Sequence, residues 1–199
     1  MIDAPGQPGS RAAEVISRVL TPTLLLAVLS PVVGGLAAGV PAGVGWGLLA
    51  MVFTAVIPAA IVDVGVRRGR YTDHHLSRRE QRAVPLALAA VSVTTGAVVL
   101  ALVGAPRAIV ALQVAVLTTL VVATAVTLVW KVSFHLAVVC ASAAALSIVG
   151  GGWWSLAWLA APVVAWARLQ LRAHTPAQVV AGALVGAGVT GLVLLLAGV

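Results

Sequence analysis

Long apolar runs recur along this chain, several reaching about eighteen residues or more, and no other feature limits the fold so tightly. A helical run of that length crosses the hydrocarbon of a bilayer. Lipid offers the backbone no hydrogen-bond partner, so each run must satisfy its own peptide groups, and a helix does this within one segment. Composition agrees. Of 199 residues 61% are hydrophobic and 9% charged, with a mean hydropathy of +1.12, far outside the soluble range. The predicted fold class is all-α, a polytopic transmembrane helical bundle. The sole cysteine, Cys140, excludes an internal disulfide.

The runs place about seven spans, with six as the lower count, near 19–40, 44–66, 84–104, 108–130, 133–150, 153–170 and 176–197. Residues 1–18 read as a polar tail with Pro5, Gly6, Pro8 and Gly9 that ends in a short amphipathic piece. Arg18 ahead of an apolar run also fits a cleaved signal peptide. Residues 19–199 read as a single membrane-embedded domain. Pro22 and Pro31 interrupt the first span, which neighbouring helices tolerate. Gly182 and Gly186 stand at the spacing that lets two helices approach closely. Trp46, Trp130, Trp153 and Trp154 fall near span ends, where interfacial tryptophans sit.

Three polar segments break the apolar pattern: RRGRYTDHHLSRREQR at 67–82, WKVSFH at 130–135 and RLQLRAHTPAQVVAG at 168–182. Two spans separate each from the next, so parity puts all three on one face of the membrane. That face then carries Arg11, Arg18, Arg67, Arg68, Arg70, Arg78, Arg79, Arg82, Lys131, Arg168 and Arg172, against Arg107 alone on the other. Such a bias predicts that the motif face and the N-terminus are cytoplasmic and the C-terminus outside, in the cell membrane. Setting aside Arg82, Lys131 and Arg168 as site candidates leaves the sign unchanged. The net charge of +7 therefore reads as interfacial arginines or a phosphate site, with no nucleic-acid partner expected.

The last polar segment is the most informative. Thr175 suits an N-cap, Pro176 the first helical position and Gln178 the end of a T-x-x-Q capping box, so a helix should begin there. His174 would lie just outside its positive end with Arg168 and Arg172 nearby, a setting that suits an anion such as phosphate. Glu80 with Ser77 forms a second capping box. The acids are Asp3, Glu14, Asp63, Asp73 and Glu80, with no pair at ligand spacing on a membrane helix. That argues against metal catalysis and against membrane prenyltransferases with paired Asp-rich magnesium motifs. Asp63, near the end of a span, is expected to be paired, with an active-site arginine as one candidate.

Taken together, Arg82 with Pro85, then Lys131-x-Ser133-x-His135, then Arg168 with His174 six residues on, resemble the type 2 phosphatidic acid phosphatase superfamily. Its motifs read K-x6-R-P, P-S-G-H and S-R-x5-H-x3-D, and the likeness covers about 67–182. Val132 and Phe134 stand where the second motif has Pro and Gly. His75 stands in the lysine position, the proline comes two positions late, Ala167 replaces serine and Gln178 replaces aspartate. The resemblance implies a lipid phosphate or diphosphate substrate, of polyprenyl phosphate or phosphatidate type, and no cofactor. It makes His174 the nucleophile that forms a phosphohistidine, and His135 the acid for the leaving alkoxide. Arg82, Ser133 and Arg168 would hold the phosphoryl oxygens, with Lys131 or Arg79 standing in for the lysine, and Gln178 would orient His174. Independently of any family, phosphoryl transfer asks for positive charge and donors around the phosphorus, an in-line nucleophile and an acid.

Each residue also has a plainer reading. His74, His75, Arg67, Arg68 and Arg70 suit interfacial anchors, Ser133 can bond its own helix, Lys131 can snorkel and Gln178 can serve only as a cap. The competing class is a non-enzymatic lipid-binding or transport protein with a degenerate site.

Overall fold

A computed structural model describes residues 8–73 and 81–199. Among them the chain is all helical, with no strand. Its helices are α1 (Pro8–Val19), α2 (Pro22–Ala38), α3 (Ala42–Met51), α4 (Ile57–Arg67), α5 (Ala83–Leu102), α6 (Arg107–Val129), α7 (Phe134–Gly150), α8 (Ala160–Gln170) and α9 (Pro176–Leu196). A π-helical turn, Val52–Val56, joins α3 to α4 without a break, and a 3-10 stretch, Gly152–Leu159, leads into α8.

Four helical segments are long and apolar enough to cross a membrane: Ala42–Arg67, Ala83–Leu102, Arg107–Val129 and Pro176–Leu196. A fifth is reached if α1 and α2, bent by 44° at Leu20–Thr21, count as one broken span. This is fewer than the seven expected from the runs. The apolar segments do lie where those runs placed them, but α7 has only 17 residues and α8 only 11 after its 3-10 lead-in. The reason is local. Gly151 and Gly152 adopt positive φ, which ends α7 at the short limit of the length that a span needs.

Surface and interior are arranged as a lipid solvent requires. Leucines and valines such as Leu24, Val28, Val91, Leu102, Val121, Leu184 and Leu195 point outward, while the interior is dominated by alanine. In lipid, helices associate by close packing of small residues and not by hiding large apolar ones. The tightest case is α7 against α9. A methyl group added at Gly182 would run into the Ser133 carbonyl, and one at Gly186 into that of Ala137. The predicted glycine pair therefore does what its spacing suggested, and it brings the start of α9 against the start of α7.

Two apolar clusters fill the bundle. One, around Leu29, Val33, Leu100, Ile109, Leu112 and Leu194, lies toward the end that carries Arg107. The other, Leu136, Val139, Cys140, Val164 and Val179, joins α7, α8 and α9 beneath the polar motifs, with Ile16 and Leu20 packed on it. The N-terminal segment is therefore more than a tail, because α1 is a helix docked on α8.

Candidate anion site at the starts of α7 and α9

Residues 131–133 and 173–178 meet through two hydrogen bonds to backbone carbonyls. The Lys131 Nζ donates to the Ala173 carbonyl at 2.7 Å. The Ser133 N–H donates to the Gln178 carbonyl at 3.2 Å. Ser133 is fully buried and caps α7, its hydroxyl accepting from the Leu136 N–H at 3.4 Å. Two segments forty residues apart in sequence are thus held at one end of the bundle, as parity required of them. His135 follows in the first turn of α7.

At the start of α9 the capping box is complete. The Gln178 N–H donates to the Thr175 hydroxyl at 3.4 Å, and the Thr175 N–H donates to the Gln178 side-chain oxygen at 3.2 Å. Pro176 occupies the first turn. The cap therefore uses the Gln178 side chain that the resemblance would assign to orienting His174.

His174 sits immediately before this cap, half-buried. Burial first, then the charges of Lys131, Arg168 and Arg82, push its imidazole down to about 4. The Gln178 side chain works the other way, favouring the charged ring, but Nδ1 is buried and makes no hydrogen bond. The result is a neutral imidazole at physiological pH beside cations from three separate segments. Neutral histidine is the form that can act as a nucleophile, and charge around it is what an arriving phosphoryl group needs.

Arg168, in the last turn of α8, is half-buried. Its Nη1 donates to the Ser17 hydroxyl at 3.4 Å, and its Nε is buried with no partner. A desolvated guanidinium with an unmet donor still has a hydrogen bond to give, and an anion is the acceptor that suits arginine's fork. Ser17, on α1, touches this guanidinium and carried no signal in the sequence beyond its place in an amphipathic stretch.

The structure brings together Arg82, Lys131, Arg168 and His174 through their charges, and Ser133 and Gln178 through the backbone bond. Arg79, together with His75 and the Ser77–Glu80 capping box, lies outside the described residues. Asp63 forms an ion pair with Arg67 of its own helix at 2.8 Å, one of the arginines with an interfacial reading. Among the described residues no cluster of His, Cys, Asp and Glu could hold a metal ion. No family model, curated protein or solved structure matches the chain.

Proposed function

We propose that this protein is a membrane-embedded, metal-independent phosphatase acting on a lipid phosphate or diphosphate, with seven membrane passes and its site on the cytoplasmic side. One observation carries the reading: a half-buried, neutral His174 faces the positive charge of Lys131, Arg168 and Arg82, drawn from three segments far apart in sequence. A structural histidine needs no such gathering. A lipid substrate suits the location, because a site at the ends of membrane helices receives headgroups while the chains stay in the bilayer.

In the proposed reaction a ring nitrogen of His174 attacks phosphorus, and the bond from phosphorus to the lipid oxygen breaks. His135 gives its proton to that departing oxygen, so the lipid leaves as a neutral alcohol, or as a monophosphate when the substrate is a diphosphate. The neutral His135 then takes a proton from water, the hydroxide attacks the phosphohistidine, and phosphate is released with His174 restored. Arg82, Lys131 and Arg168 neutralise the equatorial oxygens throughout, where charge stabilisation counts most.

The decisive measurement is phosphate release from a panel of polyprenyl phosphates, their diphosphates and phosphatidates by the purified protein with EDTA present. Release from at least one of them supports the reading. No release from any, with lipid phosphates still bound, would leave a binding or transport protein. Gln178 favours that second reading to a degree, since its amide lacks the charge that would stabilise a histidine turning cationic during attack.

A further inference from the structure

The N-terminal helix contributes a polar group to this site that neither its composition nor the three motifs announce. The inward face of α1 carries Ala13 and Ser17, one turn apart and both buried, with Ile16 and Leu20 packed on the apolar cluster beneath. A serine on such a face is costly unless its hydroxyl finds a partner. Here the partner is the Arg168 guanidinium, 3.4 Å away across 151 residues of sequence.

A guanidinium offers five N–H donors in a fixed plane. One of the Arg168 donors is on Ser17, and Nε is buried without a partner. Ser17 thus holds one corner of the fork and leaves other donors for a ligand. Apolar contacts from Ile16 and Leu20 fix α1, so the hydroxyl is a rigid stop for a side chain that would otherwise have many rotamers.

We infer that Ser17 is a positioning residue for Arg168, so that α1 is part of the phosphate-binding site and not a surface appendage. The inference rests on the anion site proposed above but not on turnover. A half-buried arginine held in place binds a phosphoryl group whether or not the group is then transferred. Ser17 acts through Arg168 and has no chemical step of its own.

The test compares the wild-type protein with Ser17→Ala, Ser17→Cys and Ser17→Thr. Inorganic phosphate is the probe, read as the constant for protection against thermal unfolding and as the product-inhibition constant. Alanine and cysteine should each weaken phosphate binding by about three- to tenfold, the worth of one modest hydrogen bond, while threonine keeps the hydroxyl and restores most of it. KM for the lipid phosphate should rise in step with the inhibition constant. In an Arg168→Lys background Ser17→Ala should have no further effect, since residues acting as a unit are not additive.

A purely structural role would lower the melting temperature of all three variants and leave the phosphate constants at the wild-type value, which overturns the inference. Equal additional losses in the Arg168→Lys background overturn it as well. Phosphate binding that responds to Ser17 in a protein with no lipid hydrolysis would sink the phosphatase reading and keep this one. A protein that binds no phosphate at all ends both.

Discussion

Helices α4 and α8 end with the same pair of hydrogen bonds. At the end of α4 the Arg70 N–H donates to the Gly65 carbonyl at 2.8 Å and that of Gly69 to Val66 at 2.9 Å. At the end of α8 the Ala173 N–H donates to Arg168 at 3.1 Å and that of Arg172 to Leu169 at 2.9 Å. Both are Schellman turns, which need one residue in the left-handed region. In α4 that residue is Gly69, with φ of 68°, and in α8 it is Arg172, with φ of 48°. Helices α5 and α9 close in the same way with Gly104 and Gly198. Among the described residues Arg172 is the sole non-glycine at positive φ.

The difference follows what comes next. After Gly69 the chain leaves into the polar loop, and the unstrained turn asks nothing of its neighbours. After Arg172 it reaches His174 within two residues. A side chain in the left-handed region costs about 1–2 kcal/mol, and such strain persists where the surroundings over-determine it. Here Lys131 grips the Ala173 carbonyl on one side and the Thr175–Gln178 cap fixes the chain on the other. The end of α4 is a turn, whereas the end of α8 is a mount.

The largest contrast between the two ends should appear in turnover. His174→Ala is expected to abolish phosphate release from the lipid substrate while the protein remains folded and inserted. Arg70→Ala, next to the left-handed Gly69 at the end of α4, should change it less than twofold. A phosphoenzyme trapped at unchanged yield in the His174→Ala protein would remove the nucleophile from this site.

The pH dependence comes next. A neutral imidazole is the reactive form, and the His174 value lies near 4 instead of the ordinary 6.5. The acid limb of kcat/KM in the free protein should therefore fall through about pH 4, with activity held down to about pH 5. Lys131→Ala removes a lowering charge and should move that limb upward. The same shift bears on stability. The unfolded chain binds the proton first, so stability present above pH 6.5 is lost as the pH falls toward 4. A limb at the ordinary histidine value in the wild type would show that neither burial nor the cations act on His174 in solution.

Gln178→Ala gives a smaller effect. With its side-chain oxygen on the Thr175 N–H and no hydrogen bond at His174 Nδ1, glutamine is first a cap. Its loss should cost about 1 kcal/mol of stability and leave turnover within a few-fold. A drop well beyond tenfold at normal stability would return it to the role of orienting the nucleophile. The smallest effects concern the turns themselves. Gly69→Ala should cost about 1 kcal/mol. Arg172→Gly should regain less, because glycine gives back about 0.4–1 kcal/mol through the looser unfolded chain. If the strain positions His174, Arg172→Gly will lower turnover even as the melting temperature holds or rises.

The same comparison marks what the sequence could reveal. The start of α9 was legible because side chains make it: Thr175, Pro176 and Gln178 spelled out their cap, and the Gly182–Gly186 pair announced a close helix approach. The Thr21 and Ser133 caps, by contrast, were not read as such. Parity likewise places the segments of Lys131 and His174 on one face. Features that depend on backbone state were not legible. Nothing in the letters LRAH marks Arg172 as left-handed, since every residue-level preference favours glycine there. Neither could 153–170 reveal that it begins as a 3-10 stretch, because apolar content alone does not distinguish 3-10 from α. The Ser17–Arg168 contact escaped for another reason. It joins residues 151 apart, and only packing decides which of several buried serines meets a charge.

The π-turn at Val52–Val56 has a consequence of phase. A helix is a clock in which each residue advances the dial by about 100°, and a π-turn inserts one extra tick. The faces that α3 turns inward are therefore not those that a plain helix would continue to turn inward in α4. Asp63, Arg67 and Gly65, whose bare face lies against the Tyr71 ring, all sit downstream of that tick. Removing a single residue from 52–56 would leave both flanking helices intact as helices. It would nevertheless swing the whole of α4 by about 100°, carrying the exit toward the Arg82 segment to a different side of the bundle.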